Sequence, residues 1–508
     1  MAQHTEIERK YEIDDGAAIV IESFAGPDGP IVADEPRTWR LVADYVDTPG
    51  LALAAHGITL RRRDGGEDAG WHLKLPTAKD TRQEVHEPLG VGVHHVPARL
   101  AALVAAHVRG QELVPVATVE TTRTTRRLRD RDGQVVAEIA DDVVVGHRLD
   151  DHAERSASWH EVEIELVNGS PELLESLDPV LRQAGAVPAA ASSKLRRVLG
   201  DDLAARPRRT PGRTAGEALI AYLRRQRDRL LTYDPLVRLA DHDDDSVHKM
   251  RVAVRRMRSL LRTHARLLDR AQARALDAEL KWLADTLGDV RDLEVLTARF
   301  DRRLADRPAG LTRGDAPRWP GQLATREREA RRRLKDALST PRYFALLARL
   351  DDFLADPPFT ARAGRKARRL SPRLVVKSWC KVLDKYARAE RLPTGTEREH
   401  ALHSTRKAAK RARYTAEAAT PALGKPAAKL ARRAEDLQEA LGRYQDAIVA
   451  QRQLTEIAER PGPSPDDAFT LGLLLGTERG EAADALRDLP PARRHAARTA
   501  KQLRALKR

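Results

Sequence analysis

The stretch His248-Lys-Met-Arg-Val-Ala-Val-Arg-Arg-Met-Arg258 returns 155 residues further on as His403-Ser-Thr-Arg-Lys-Ala-Ala-Lys-Arg-Ala-Arg413. Both copies carry His, then Arg at +3, Arg or Lys at +7, Arg at +8 and Arg at +10. On an α-helix, offsets 0, +3, +7 and +10 fall within about 80° of one another. Each copy therefore presents one histidine and three cations on a single stripe, and Val252, Ala253 and Val254, or Ala408 and Ala409, can face a core. Like charges at i and i+3 or i+4 repel and weaken a helix. On one helix the pattern reads as a solvated basic face; repeated at matching offsets it reads as a surface for an anion.

A second pair of motifs keeps nearly the same spacing. Leu283-Ala-Asp-Thr-Leu-Gly288-Asp-Val-Arg-Asp292 is echoed by Leu437-Gln-Glu-Ala-Leu-Gly442-Arg-Tyr-Gln-Asp446 at an offset of 154. The C-terminal part is thus two related helical units. The histidine helix followed by Leu-Gly-xxx-Asp resembles the CHAD domain, the conserved-histidine α-helical domain, from about Thr214 to the C-terminus. The resemblance implies an all-α, duplicated four-helix bundle with a basic groove and inorganic polyphosphate as ligand. It places His248, Arg251, Arg255, Arg256 and Arg258 of the first copy, and His403, Arg406, Lys410, Arg411 and Arg413 of the second, on that ligand.

The 508 residues suggest two or three domains with ample core. Net charge is +15, so an anionic partner is the first expectation. The charge is uneven: residues 1–203 carry 23 Lys+Arg against 35 Asp+Glu, and residues 204–508 the remaining 67 against 40. An acidic half joined to a basic half predicts two domains with different jobs. The expected division is 1–203, a linker at 204–213 containing two prolines, and 214–508. One cysteine, Cys380, excludes an intrachain disulfide. No run of about 18 apolar residues and no signal-like start appear, so a cytoplasmic protein off the membrane is expected.

Within 1–203, Thr5 to Ile13 alternates as a strand with Glu6, Glu8 and Lys10 on one face. Adjacent same-face carboxylates repel unless a cation lies between them, which is how hard divalent metals are held. Further strands are expected at 37–46, 58–63, 71–76, 113–129, 134–145 and 159–166, with helices at 98–109 and 173–184. Asp47-Thr-Pro-Gly50 is a turn. Arg61 and Arg63 share a face, as do Glu161, Glu163 and Glu165; Val162, Ile164 and Leu166 take the opposite one. About eight strands with a charged face fit a barrel whose lumen has an acidic and a basic side.

Glu6-x-Glu8-x-Lys10, Asp47-Thr-Pro, Leu60-Arg61-x-Arg63, Trp71-x-Leu-Lys74, Arg123, Glu163-Ile-Glu165-Leu and Ser193-Lys194 follow in an order that resembles the CYTH domain, the triphosphate tunnel metalloenzymes. The whole chain is then α+β: an antiparallel eight-stranded barrel tunnel followed by the helical bundle. The CYTH resemblance implies metal-dependent hydrolysis of a triphosphate, and the attached polyphosphate-type helical domain favours the inorganic one. Glu6, Glu8 and Lys10 would form its catalytic signature. Lys10, Arg61, Arg63, Lys74, Arg123 and Lys194 would bind phosphate; Glu6, Glu8, Asp141, Glu163 and Glu165 would hold Mg²⁺ or Mn²⁺. Spacing favours Asp141, but a bulge in its strand would substitute Asp142. Glu161 either joins this set or continues it onto the surface.

Beyond the linker, helix follows helix, with breaks expected at Asp234-Pro, Arg307-Pro, Asp356-Pro-Pro358, Leu392-Pro and Arg460-Pro. An acidic run from Asp241 to Ser246 suits the N-terminus of the first histidine helix. Arg362 to Arg373 forms another cationic cluster, which either joins the groove or is solvated. Three functions remain open. The first is a tripolyphosphatase whose helical domain engages long-chain polyphosphate, a reading that admits association with polyphosphate granules. The second is a polyphosphate-binding protein with weak turnover or none. The third is a nucleotide-directed enzyme or nucleic-acid binder, including thiamine triphosphatase or class IV adenylate cyclase. Aromatic residues are 4% of the chain, which disfavours base stacking and so nucleic acid.

Overall fold

The computed structural model describes residues 2–14, 23–78, 80–90, 95–149, 156–200, 203, 213–239, 245–307, 317, 319–460 and 464–505. The chain divides into two compact units, Met1–Arg208 with Asp234–Leu239, and Arg209–Tyr233 with Ala240–Arg508. Apart from Arg213, the expected linker lies outside the described residues, as does the acidic run at 241–244.

The first unit is built on strands β1 (Ala2–Ile13), β2 (Ser23–Gly26), β3 (Gly29–Ala33), β4 (Arg37–Asp47), β5 (Thr59–Asp64), β6 (Gly70–Ala78), β7 (Thr81–Pro88), β8 (Val114–Arg129), β9 (Val135–Arg148), β10 (Ser156–Leu166) and β11 (Val187–Pro188). Helices α1 (Ala98–Val108), α2 (Pro171–Gln183) and α3 (Lys194–Leu199) complete it. Eight of the strands close a ring in the order β8-β4-β5-β6-β7-β1-β10-β9 and back to β8; β2–β3 extends from β8, and β11 pairs with β1. Every pairing in the ring is antiparallel.

Period-2 alternation explains how a barrel with a charged lumen can fold. On β10, Glu161, Glu163 and Glu165 share one face, while Val162, Ile164 and Leu166 share the other and pack against Leu173, Leu174, Leu177 and Leu181 of α2. Full burial stabilises each such leucine by roughly 1.5–3 kcal/mol, so the barrel's core lies outside its wall. The buried Asp47 carboxylate ties the turn after β4, accepting hydrogen bonds from the N–H groups of Thr48 (2.7 Å), Leu53 (2.8 Å) and Ala54 (2.8 Å). α3 begins at Lys194, where the Ser193 hydroxyl caps it by accepting from Arg196 N–H, and its Leu195, Val198 and Leu199 pack with Val119, Val144 and Trp159.

The second unit is helical: α4 (Ala215–Leu239, of which Asp234–Leu239 is grouped with the first unit), α5 (Ser246–Thr263), α6 (Arg270–Ala305), α7 (Trp319–Leu338), α8 (Pro341–Ala355), α9 (Ala367–Arg391), α10 (Thr396–Leu423), α11 (Lys425–Ala458) and α12 (Pro465–Ala505). The duplicated motifs fall on equivalent elements: the histidine helices are α5 and α10, and the Leu-Gly helices are α6 and α11. α10 buries a run of small residues, Ala408, Ala409, Ala412 and Ala416, against α9 and α11. α5 also packs against α10. The break expected at Asp234-Pro does not occur, because α4 runs through Pro235 to Leu239. Pro235 removes one i→i−4 hydrogen bond from the ladder, and burial of Leu236, Val237 and Leu239 beyond it offsets that loss. Among the described residues, no helix is long and apolar enough to cross a membrane.

Candidate functional site: a charged tunnel and a cationic cluster

The barrel holds a cavity of about 770 Å³ lined mainly by charged side chains. β1 contributes Glu6 and Glu8, both buried, and Lys10. Lys74 Nζ of β6 donates to Glu6 Oε1 at 2.5 Å and lies 3.5 Å from Glu84 Oε2. Lys10 Nζ is 3.1 Å from Glu8 and hydrogen-bonds Glu163, and Arg82 of β7 reaches Glu8 at 2.7 Å. Burial disfavours charge on Glu8, but Lys10, Lys74 and Arg82 outweigh it and pull its pKa down to about 2. Glu6 goes the other way: burial and the neighbouring Glu8, Glu84 and Glu165 outweigh Lys74 and push its pKa up to about 7. Its Oε2 is buried with no hydrogen-bond partner.

On β10, the strand paired with β1, and on β9 beside it, Asp142, Glu161 and Glu163 bring carboxylate oxygens within 4.8 Å of one another. The Lys194 ammonium lies among them, 2.8 Å from Asp142, 2.6 Å from Glu161 and 2.9 Å from Glu163. Arg123 grips Asp142 through Nε (2.8 Å) and Nη2 (2.6 Å) and donates to Glu163 (2.7 Å). Burial opposes both charges; the surrounding cations nevertheless hold Asp142 and Glu163 below the usual carboxylate range, and the acids hold Lys194 above its own.

The preference for Asp141 is corrected here. Asp142 pairs in register with Glu161, Asp141 with Val162, so Asp141 lies on the outer face, hydrogen-bonded to His160. The parity shift arises from the run of strand, not from a bulge: no register break falls between β9 and β10. Arg61 lines the cavity and donates to Tyr45 Oη at 3.1 Å; Arg63 is ion-paired with Asp68, and burial with Arg61 and Arg123 nearby lowers its pKa to about 10. Glu165 lines the cavity 3.8 Å from His4.

Sequence reading missed β7 and with it Glu84, which is buried in the lumen and bonded to His72 Nδ1 at 2.6 Å. Thr-Arg-Gln-Glu-Val-His-Glu-Pro has one apolar residue, Val85, so hydrophobic alternation is silent there. The available signal was the period-2 row Arg82, Glu84, His86, which matches Glu6-x-Glu8 in kind.

In the helical unit the ten candidate residues separate into two groups. Arg251 and Arg255 of α5 lie beside Arg406 and Lys410 of α10. Arg255 and Lys410 form no ion pair among the described residues. Burial, then Arg255, Arg406 and Arg251, outweigh Asp446 and lower the Lys410 pKa to about 6. His248 and His403 flank the cluster and are lowered too, by burial and by neighbouring cations. The remaining arginines are mostly engaged in the fold. Arg256 lies over the Tyr414 ring and pairs with Glu417, Arg258 pairs with Asp277 at 3.1 Å, and Arg413 pairs with Glu417 and Glu435 at 2.9 and 2.7 Å. Burial and Arg262 lower the pKa of Arg411.

The Leu-Gly-xxx-Asp motif acquires a geometric meaning. A Cβ at Gly288 would stand 3.1 Å from Arg251 Nη2, and one at Gly442 3.1 Å from Arg406 Nη2. Each guanidinium therefore lies flat on the backbone of the neighbouring helix at its glycine. One turn later an aspartate faces it: Asp292 is 2.8 Å from Arg251, and Asp446 is 3.8 Å from Arg406.

Fold and sites define a two-part protein, a charged barrel tunnel joined to a duplicated helical unit with a cationic centre. Family models place a CYTH domain at residues 4–197 and a CHAD domain at 221–455. An uncharacterized protein of Mycobacterium tuberculosis (strain H37Rv) is 35% identical over 496 residues, covering 94% of this chain and 93% of that one. Among solved structures, PptA from Streptomyces chartreusis aligns at TM-score 0.46 and 22% identity, over 55% of this chain and 99% of that one. The CHAD domain from the plant Ricinus communis aligns at TM-score 0.42 and 25% identity, over 56% and 92%. The chain belongs to the CYTH–CHAD family, carrying both domains in one polypeptide.

Proposed function

We propose that the tunnel hydrolyses inorganic triphosphate with a divalent metal, and that the helical unit binds inorganic polyphosphate. The observation that carries the first part is the lumen's self-compensation. Lys10, Arg61, Arg63, Lys74, Arg82, Arg123 and Lys194 face Glu6, Glu8, Glu84, Asp142, Glu161, Glu163 and Glu165, mostly paired with one another. A complex of metal and triphosphate would give both sets new partners without leaving buried charge uncompensated.

The donor set fits a hard cation. Glu6 Oε2 is buried without a partner, and Lys194 already fills a three-carboxylate site with positive charge. Glu6, Glu8, Asp142, Glu163 and Glu165, with Glu161 beside them, would hold Mg²⁺ or Mn²⁺. Bound metal supplies charge neutralisation and a more acidic water. Arg61, Arg63 and Arg123 offer forked N–H pairs to phosphate oxygens, and Lys10 and Lys74 act as point charges. Water adds to a terminal phosphorus, the bond from that phosphorus to the bridging oxygen breaks, and orthophosphate and pyrophosphate leave. Positioning and charge neutralisation are the protein's main contributions to such a step.

The second part rests on four basic side chains, Arg251, Arg255, Arg406 and Lys410, drawn from two equivalent helices and suited to a linear polyanion. Phosphate release from tripolyphosphate, ATP and thiamine triphosphate, with and without Mg²⁺ or Mn²⁺, tests the enzyme reading. Tripolyphosphate should lead. Cyclic product from ATP would replace this reading with a cyclase, and no turnover of any substrate would leave a binding protein.

A further inference from the structure

Helix α9 buries Val375, Val376, Trp379, Val382, Tyr386 and Ala389 in the helical core. Its opposite side carries Arg369, Arg373, Lys377, Lys381 and Arg388, with Lys366 at its N-cap, all six exposed. At 100° per residue these six fall within about 120° of arc, and Arg369 to Arg388 spans about 29 Å of helix. One acid, Asp384, shares the stripe. Among the described residues none of the six cations forms an ion pair. Exposed cations elsewhere in this unit commonly have an acid one turn away: Lys281 with Asp285 at 2.6 Å, Arg433 with Asp436 at 3.0 Å, and Arg487 with Asp484. A row of like charges at i, i+3 and i+4 opposes helix formation, and from Lys366 to Lys377 the row has no acid one turn away; Asp384 lies one turn from Lys381 and from Arg388 but pairs with neither among the described residues.

The row also connects to the central cluster. Lys385, one turn beyond Lys381, donates from Nζ to Ser404 Oγ of α10 at 2.7 Å. Ser404 adjoins His403, and the exposed Lys407 lies one turn further along α10. Positive charge thus continues from the α10 edge of the cluster onto α9.

We propose that this face of α9 is a second track for linear polyphosphate, carrying the part of a long chain that runs past the α5–α10 cluster; it rests on the polyphosphate reading above. Cations spaced three and four residues apart, about 5–6 Å along the helix, suit an unbranched chain of phosphates rather than a single anion. The aromatic residues of α9, Trp379 and Tyr386, are buried, so nothing on the face stacks a base. The face also offers no exposed large apolar side chain to enter a lipid surface, Leu370 within it being half-buried.

The test is a binding titration of the full chain with short and long linear polyphosphate across a salt series. It compares wild type, Arg373→Glu/Lys377→Glu/Lys381→Glu and Arg255→Ala/Lys410→Ala. All three glutamate sites are exposed, and a Gln triple at the same positions controls for charge reversal. The glutamate triple should weaken long-chain binding at least about tenfold and leave short-chain binding unchanged. Losing three contacts should flatten the slope of log affinity against log salt by about 2, on the counterion-release rule for phosphate backbones. The cluster variant should weaken both chains. Unchanged long-chain affinity in the glutamate triple overturns the track. So does an equal loss for short chains, which would make α9 part of the central site. Single-stranded DNA binding as tight as long polyphosphate and lost in the triple would assign the face to nucleic acid and also overturn it. Wild type that binds neither polyphosphate fails the underlying reading itself, an outcome separable from the others because it is seen before any substitution.

Discussion

Binding of long-chain polyphosphate should draw about one proton onto Lys410. The Lys410 pKa falls from 10.5 to about 6 because the amine is buried beside Arg255, Arg406 and Arg251, with Asp446 the opposing charge. At pH 8.5 the ligand-free side chain is therefore neutral. Phosphate oxygens entering the cluster reverse the local field and return the pKa toward its ordinary value, so the bound state is charged. Affinity should then fall about tenfold, or about 1.4 kcal/mol, for each pH unit between about 7 and 9. Calorimetric titration at pH 8.5 in two buffers of different ionisation enthalpy measures the uptake directly. His248 and His403 also have lowered pKa values and would add uptake near pH 7; at pH 8.5 they stay neutral and Lys410 is isolated. Lys410→Met should abolish both the buffer dependence and the pH slope. The ligand-free protein offers a second readout. Between pH 6 and 10.5 the unfolded chain holds a proton on Lys410 that the folded chain lacks, so this residue makes stability rise with pH across that window. Binding heats independent of buffer at pH 8.5, or the same in wild type and Lys410→Met, would refute the reasoning.

In the tunnel, Glu8→Gln should cut metal-dependent phosphate release at least about a hundredfold while circular dichroism stays native. Near-normal release would remove Glu8 from the metal set. Asp142→Asn should likewise lose activity, and Asp141→Asn should keep it, since Asp141 faces His160 outside the lumen; the reverse result would overturn the assigned strand parity. Gly288→Val with Gly442→Val should displace both guanidiniums and weaken polyphosphate binding about tenfold or more. Tripolyphosphate hydrolysis in the same variant should be unchanged, and intact binding would mean the arginines do not need their glycine seats.

Much of this was legible in the sequence because charge patterns encode it directly. The duplicated histidine helices follow from period 3.6 and the tunnel wall of β1 and β10 from period 2. What hydrophobic patterning could not supply was any element whose two faces are both polar. β7 was missed for this reason, and Glu84 with it. Asp141 was preferred over Asp142 because adjacent aspartates look alike until a register fixes which one shares a face with Glu163. The sequence also could not sort the eight cations of the two histidine motifs. Arg256, Arg258 and Arg413 differ from Arg255 and Lys410 only in having Glu417, Asp277 and Glu435 within reach, acids that lie 19 to 161 residues away along the chain or on the same helix.

The meeting of α5 and α10 also bears on how the helical unit holds together. α5 and α10 pack where like charges meet, so repulsion across this joint opposes the packing until an anion enters. Ordinary surface ion pairs weaken as ionic strength rises. This joint should strengthen, since screening relieves repulsion between Arg251, Arg255 and Arg406. A polyanion would go further and clamp the repeats. At a hundredfold excess over its dissociation constant it should add about 2.7 kcal/mol of stability. Resistance of the helical unit to heat and proteases would then report how much polyphosphate surrounds the protein, with no catalysis required. A melting temperature that falls with added salt and ignores polyphosphate would show that the joint is held by packing alone.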